Sequence, residues 1–473
     1  MTGILAAAPL AVLTGAALLI LAAEAFFPRQ GGRVCGPGAF FAFAAAAVLD
    51  ARSWGKGYSV FGGDLVLDGP AVVFIGIICG AGMLVVLSGL GHVERRGIDR
   101  GAYHALLLLA CAGATVMVSS PDLLVVFLGL ELLSISGYVL AGIDRTDPRS
   151  TESAVKAFMT GSLASAFLVF GLAFLYGAAG SLKIPAILFS LSAPSGAGWA
   201  GPVGLGLVVI GFGFKIALVP FHMWAPDVYE GAPTPITAFL TVAPKAAGFA
   251  VLLKLLGPPS SGPGTVRTAL GVVAGLTMVA ASLAALRQKN IKRLLAYSSI
   301  AHSGTILLAV LAGDGPGLAF YIAVYLFMNV GAFGAVLALA GKEGERLDLD
   351  SFAGAGYRSP WIAALFSVFL FSLAGFPPTG GFLAKFFVFA TAVDRGLVGL
   401  VVVALLASLI SVYYYLRVIV VMYMKPLEAV RAERSGPEAG HPALYLVLFL
   451  CFYAVLQLGV MPGNLLDVIR RTF

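Results

Sequence analysis

The chain has 473 residues, 59% of them hydrophobic and only 11% charged, with a mean hydropathy of +0.97 and a formal net charge of +7. So few charged residues cannot coat one soluble globule of this size, which excludes a soluble enzyme. The positive balance lies mostly in short loops between apolar runs, where membrane topology accounts for it better than a nucleic-acid partner does.

The apolar runs have the length of membrane spans, about 20 residues each. The first, 4–27, has no basic residue before Arg29, so it lacks the positive start of a cleaved secretory signal and is expected to remain as a spanning helix. Runs at 36–50 and 69–90 complete an N-terminal unit, 1–100. Runs at 101–119, 121–142, 153–180, 201–225 and 233–257 form a second unit, 101–257. The stretch 182–193 is apolar but short and holds Pro185, which predicts a loop or an interfacial piece. Runs at 267–286, 293–313, 315–341, 359–391 and 396–424 form a third unit, 267–424, and a last run at 442–463 lies in the C-terminal unit, 442–473. The reading is an all-α polytopic membrane protein of about 14 transmembrane helices.

Basic residues crowd the loops after odd-numbered segments, among them Arg29, Arg33, Arg95, Arg96, Arg287, Lys289, Lys292, Arg293, Lys342, Arg346, Arg431 and Arg434. By the positive-inside rule both termini are expected on the non-cytoplasmic side. Cys35, Cys79, Cys111 and Cys451 are scattered without a CxxC pair, and read as buried inert thiols rather than ligands.

The seventh and twelfth segments are interrupted by proline in mid-membrane, at Val219-Pro220-Phe221-His222 and along Gly375-Phe376-Pro377-Pro378-Thr379-Gly380-Gly381. Proline removes a backbone donor and clashes with the preceding turn, and the freed polar groups survive only against protein or water. Two broken helices five segments apart point to a transporter of two five-helix repeats, which an odd repeat length makes inverted in the membrane, with the transport sites at the breaks.

Glu131, Lys215, Lys245 and Lys385 stand inside apolar runs, where a charge costs about 2.5–3.5 kcal/mol on insertion scales and therefore lines a polar interior path. Low dielectric disfavours a charged lysine and a nearby carboxylate restores it, which is the equipment of a proton relay. His302 continues the line toward Lys385, since imidazole both accepts and donates near neutral pH. Lys156, with Glu152 four residues before it, His222 and Tyr325 are secondary candidates. Blander roles fit other charges. Arg417 is expected to snorkel. The basic turn of Arg287, Lys289, Lys292 and Arg293 reads as a cytoplasmic anchor open to anionic lipid. Glu24 and Asp122 suit capping, and Asp227 and Glu230 suit the mouth of a cytoplasmic entrance.

The stretch from Phe214 and Lys215 through Pro220, His222, Trp224, Asp227 and Glu230 to Thr234-Pro235 resembles the core signature of the antiporter-like subunits of respiratory complex I. Gly129-Leu130-Glu131-Leu132, the run Asn290 to Ile300 and the segment Gly375 to Lys385 extend the resemblance over segments four to thirteen. Lys385, where one branch of the family carries glutamate, and the lack of room after Phe473 for further C-terminal helices separate the chain from two other branches. The resemblance implies that Glu131 pairs with Lys215, that Lys245 passes protons centrally and that Lys385 leads to one side. It implies partners among the other membrane subunits and, through them, a peripheral redox arm that holds NADH, FMN, iron-sulfur clusters and quinone. No such cofactor and no metal is expected in this chain, which has no glycine-rich dinucleotide fingerprint. A bacterial inner-membrane location follows from the same resemblance. Redox energy released elsewhere would then drive a proton along Lys215, Lys245, His302 and Lys385. The alternatives are a subunit of a multisubunit sodium/proton antiporter or membrane-bound hydrogenase complex, and a structural membrane scaffold.

Overall fold

The computed structural model describes residues 2–192, 198–257, 264–340, 347–425 and 441–473, with side chains undescribed at 2–5 and 28–33. Lys342, Arg346, Arg431 and Arg434, and the side chains of Arg29 and Arg33, used above for orientation, therefore lie outside the described residues.

The chain is nearly all helix. It begins with α1 (Thr2–Phe26) and α2 (Pro28–Ala51), then a short antiparallel hairpin of β1 (Tyr58–Val60) and β2 (Leu65–Leu67). Then come α3 (Gly69–Arg95), α4 (Arg100–Ser119), α5 (Leu123–Ala141) and α6 (Pro148–Ala179). Next are α7 (Ile184–Ser192), α8 (Ala200–Lys215), α9 (Trp224–Gly231), α10 (Thr234–Leu256), α11 (Gly264–Leu286), α12 (Ile291–Ala312) and α13 (Gly315–Leu339). The last are α14 (Ala355–Arg358), α15 (Pro360–Ala374), α16 (Gly380–Asp394), α17 (Val398–Met424), α18 (Pro442–Val460) and α19 (Gly463–Arg470).

Among the described residues twelve helices are long and apolar enough to cross a membrane: α1 to α6, α10 to α13, α17 and α18. Both runs read as interrupted break at their prolines: the run 359–391 is α15 and α16 parted at 375–379, whereas the run 201–225 is α8 followed by a non-helical stretch at 216–223, with α9 beginning only at its end. The stretch 182–193 is a correction in part. It holds the helix α7, because Pro185 falls in the first turn, where its missing N–H has no intrahelical partner to lose.

Helix ends follow local chemistry. Asp68, Asp99, Asp122 and Asp147 cap α3, α4, α5 and α6 by accepting the exposed first-turn amides. Glu24 reaches across from α1 to the amides of Gly101 and Ala102 at the same α4 start. Arg417, half-buried, donates to the carbonyl of Leu286, the last residue of α11, at 2.7 Å, and to that of Gln288 in the loop beyond, so its guanidinium reaches to a helix end and closes it.

The core is helix against helix. The spanning window of α10 is 94% buried and those of α12 and α13 are 89% buried, against 33% for α6, α17 and α18, so the first three form the centre. These central helices have apolar residues on every side, as helices enclosed by others do, with the polar groups of the site as the exceptions. Exposed Phe158, Met159, Leu163 and Phe170 on α6 and Leu405, Leu409 and Tyr413 on α17 face outward as a lipid-compatible surface. Two glycine pairs let backbones touch. A Cβ on Gly113 would stand 2.5 Å from the carbonyl oxygen of Gly129, joining α4 to α5, and one on Gly171 would stand 2.8 Å from that of Gly204, joining α6 to α8. All four cysteines are buried.

Candidate proton-transfer site

Lys215 is the last residue of α8, and the chain breaks directly after it. Ala217 takes a left-handed φ of +57°, and its amide and that of Leu218 turn back onto the carbonyls of Phe214 and Gly213 at 3.0 and 2.7 Å. The remaining freed groups find side chains. Trp224 Nε1 donates to Phe214 O at 3.0 Å, Val219 N donates to Thr277 Oγ1 at 3.0 Å, and Ser303 Oγ donates to Ile216 O at 2.7 Å. The break is thus stitched to α11 and α12, as backbone at membrane depth requires.

The ammonium of Lys215, only 8% exposed, donates to Ser134 Oγ at 2.9 Å and lies 5.6 Å from the centre of the Tyr138 ring. Glu131, half-buried on the same helix α5, accepts from Ser165 Oγ of α6 at 2.5 Å. The pair implied by the resemblance is therefore not a direct ion pair here, since no bridge joins Glu131 to Lys215. Each charge is held by its own hydroxyl, because Ser134 stands one turn beyond Glu131 and takes the lysine's reach. Ser134, Tyr138, Ser165 and Lys215 line one small cavity of about 10 Å³.

Lys245, 1% exposed on α10, donates to Ser299 O at 2.5 Å and Ser299 Oγ at 2.6 Å. Tyr325 OH donates to the same Oγ at 2.8 Å, and its ring centre lies 5.8 Å from the ammonium. Ser303 Oγ, which holds the Ile216 carbonyl beside Lys215, also donates to Ser299 O at 3.2 Å. A continuous string of polar contacts therefore runs from the first break through Ser303 and Ser299 to Lys245 and Tyr325.

His302 shares Nδ1 with Tyr321 OH at 2.7 Å, and its ring centre is 5.3 Å from that of Tyr325. It faces a second small cavity of about 20 Å³, lined also by Lys385, Ser282, Thr305, Ser408, Ser411 and Tyr414. Lys385, 8% exposed on α16, donates to Leu373 O at 3.2 Å, Ala374 O at 2.9 Å and Ser408 Oγ at 3.3 Å. Those carbonyls end α15 and have no helical partner, so the lysine sits at the negative end of a half-helix. Gly375 makes this fit: its φ is +93°, and a Cβ there would stand 3.1 Å from Lys385 Cδ.

Lys156 belongs to a separate charged cavity of about 180 Å³ at one end of α6, with Arg149, Glu152, Asp227, Glu230 and Arg293. Lys156 pairs with Glu152 at 2.6 Å and Asp227 at 2.8 Å, and Arg293 pairs with Asp227 at 2.6 Å and Glu230 at 2.8 Å. Burial works to raise the Asp227 carboxyl, but the bonds and charges of Lys156 and Arg293 outweigh it and hold the group below its ordinary range. The expected basic anchor is corrected at two positions: Arg293 is an ion-pair partner within this cavity, and Lys292 is fully buried, donating to Ala232 O at 2.6 Å. His222 lies half-buried inside the first break with no hydrogen bond at Nδ1, and does not join the string.

The serines that hold the charges, Ser134, Ser165, Ser299 and Ser408, and Ser303, which binds the freed Ile216 carbonyl, were missed by sequence reasoning. Serine is ordinary in spanning helices. The one usable signal was Ser299 and Ser303 flanking His302 at helical spacing.

A family model described as NADH:quinone oxidoreductase/Mrp antiporter, TM, matches residues 120–411. NADH-quinone oxidoreductase subunit N 1 of Solibacter usitatus is 40% identical, over 98% of this chain and 96% of its own length. A chain of respiratory complex I from Thermus thermophilus matches with a TM-score of 0.83 and 35% identity, covering 97% of this chain and 98% of that one. A chain of the membrane-bound sulfane sulfur reductase, an archaeal respiratory membrane complex, matches with a TM-score of 0.85 and 25% identity over 98% and 96% of the two chains. With a long stretch of the sequence under the family model and near-full-length relatives well above 30% identity, this chain belongs to the subunit N family of NADH-quinone oxidoreductases.

Proposed function

We propose that the chain is a proton-translocating membrane subunit of NADH:quinone oxidoreductase, complex I, and carries protons along Glu131, Lys215, Lys245, His302 and Lys385. The reading rests on one observation above the others: at membrane depth, where apolar packing is the default, Lys245 is bonded to Ser299 in a string of hydroxyls and a phenol that reaches the Ile216 carbonyl beside Lys215, and His302 and Lys385 line one cavity. Redox chemistry in partner subunits, where NADH, FMN, iron-sulfur clusters and quinone are bound, supplies the drive. It acts by changing the field around Glu131 and Lys215.

In this reading the two interrupted segments also cross the membrane, giving fourteen crossings. Residues 101–257 and 267–424 are then the two inverted repeats, the protein lies in the bacterial inner membrane, and both termini face away from the cytoplasm. The charged cavity around Asp227 then opens at the cytoplasmic face and feeds Lys215. Lys156 serves there as a mouth residue, and Tyr325 works as a phenol link.

Glu131→Ala and Lys215→Ala test the reading in the assembled complex. Each is expected to lower quinone reduction and the proton pumping coupled to it severalfold while native gels show normal assembly. Ordinary turnover and proton yield in both variants would return these residues to structural roles.

A further inference from the structure

On α5, Glu131, Ser134 and Tyr138 follow at intervals of three and four residues and so share one side of the helix. The Lys215 ammonium lies at the Ser134 and Tyr138 end of that side, 5.6 Å from the ring centre, while Ser165 holds the Glu131 carboxylate at the other. The ring has little freedom. A Cβ on Gly161 of α6 would stand 1.9 Å from the Tyr138 hydroxyl and 2.5 Å from Cζ, so the phenol fills a notch that only glycine leaves open. Gly161, Ser165, Tyr138 and Lys215 line the same cavity, and little more than one turn back along α6, Lys156 lines the charged cavity.

An ammonium parted from its carboxylate in low dielectric needs another source of negative potential, and the face of a desolvated aromatic ring supplies one. We infer that Tyr138 is a positioning residue for Lys215: its ring, seated by Gly161, is the platform that holds the ammonium away from Glu131 between transfer events. The inference rests on the relay reading above and goes beyond it, by naming what stabilises the parted state of the two charges.

The test uses the whole complex in proteoliposomes, reading NADH-driven quinone reduction, proton uptake and assembly on native gels. Tyr138→Leu removes the platform and is expected to lower coupled turnover about three- to tenfold. Tyr138→Phe keeps the ring and should restore most of it, a rescue that a purely hydroxyl-based role would not give. Gly161→Ala displaces the ring from the opposite helix and should cost about as much, and it serves alone if Tyr138→Leu does not assemble. In the Tyr138→Leu background Gly161→Ala should cost nothing further, because there is no ring left to displace. Parental turnover in Tyr138→Leu or Gly161→Ala, a Phe variant as poor as the Leu one, or an undiminished Gly161→Ala loss in the double variant would each overturn the inference. Lys215→Ala run alongside separates the two failures: normal pumping there sinks the relay itself, whereas a pumping defect there with a normal Tyr138→Leu sinks only the platform.

Discussion

Lys245 is held by Ser299 alone among side-chain acceptors, with no carboxylate bonded to it, at 1% exposure in the centre of the molecule. Removing such a charge relieves desolvation, so Lys245→Met is expected to leave the Tm of the assembled complex unchanged or raised while pumping falls. A scaffold role predicts the first effect without the second, and thermal unfolding beside a proton-uptake assay separates them. Ser299→Ala takes one acceptor from Lys245 and the acceptor of the Tyr325 hydroxyl, and is expected to destabilise by about 1–3 kcal/mol. His302→Ala should pump less than the parent but more than Lys245→Met, since Tyr321, Tyr325 and the cavity beside Lys385 leave hydroxyls to bridge the gap. Rate comparison of the two variants checks the order. At this scale the lysines were legible because a charge inside an apolar run has few reasons to be there. The hydroxyls were not, because what selects Ser134 or Ser299 is a partner 81 or 54 positions away in the chain.

The breaks between α8 and α9 and between α15 and α16 were legible from proline, which cannot continue an i to i−4 ladder. What the freed groups bind was not, since Thr277 and Ser303 come from other helices. Close approach of α6 and α8 depends on Gly171 and Gly204, and it brings Ser165 and Lys215 to one cavity. Gly171→Val is expected to destabilise by about 1–3 kcal/mol through overpacking and to lower complex yield, which quantitative native gels measure. The ion pairs of Asp227 tie α6, α9 and α12 together at partly exposed positions, so their contribution is modest, about 0.2–1 kcal/mol each. The Asp227 carboxyl is held below its unfolded value, so its contribution is fully present above that ordinary value and is lost as pH falls through the lower folded one. Asp227→Asn should therefore lower the Tm at pH 7, with the gap to the parent closing only in strong acid.

Seen whole, the molecule is a bundle whose enclosed centre, α10, α12 and α13, carries the polar string while its outward helices face lipid. Hydropathy alone indicated the class, because 59% hydrophobic residues leave no soluble solution. The grouping of Arg149, Glu152, Lys156, Asp227, Glu230 and Arg293 into one cavity needed the fold, since these residues come from three separate helices. Among the described residues Lys245 is the lysine bonded into the string between the two breaks, and in the proposed relay it links Lys215 to the cavity of His302 and Lys385. The proton-to-electron ratio of the assembled complex carrying Lys245→Met is the direct measurement of that link. A continuous relay predicts a lower ratio at normal assembly, with this subunit's share of pumped protons missing. A ratio and turnover equal to the parent's would contradict it.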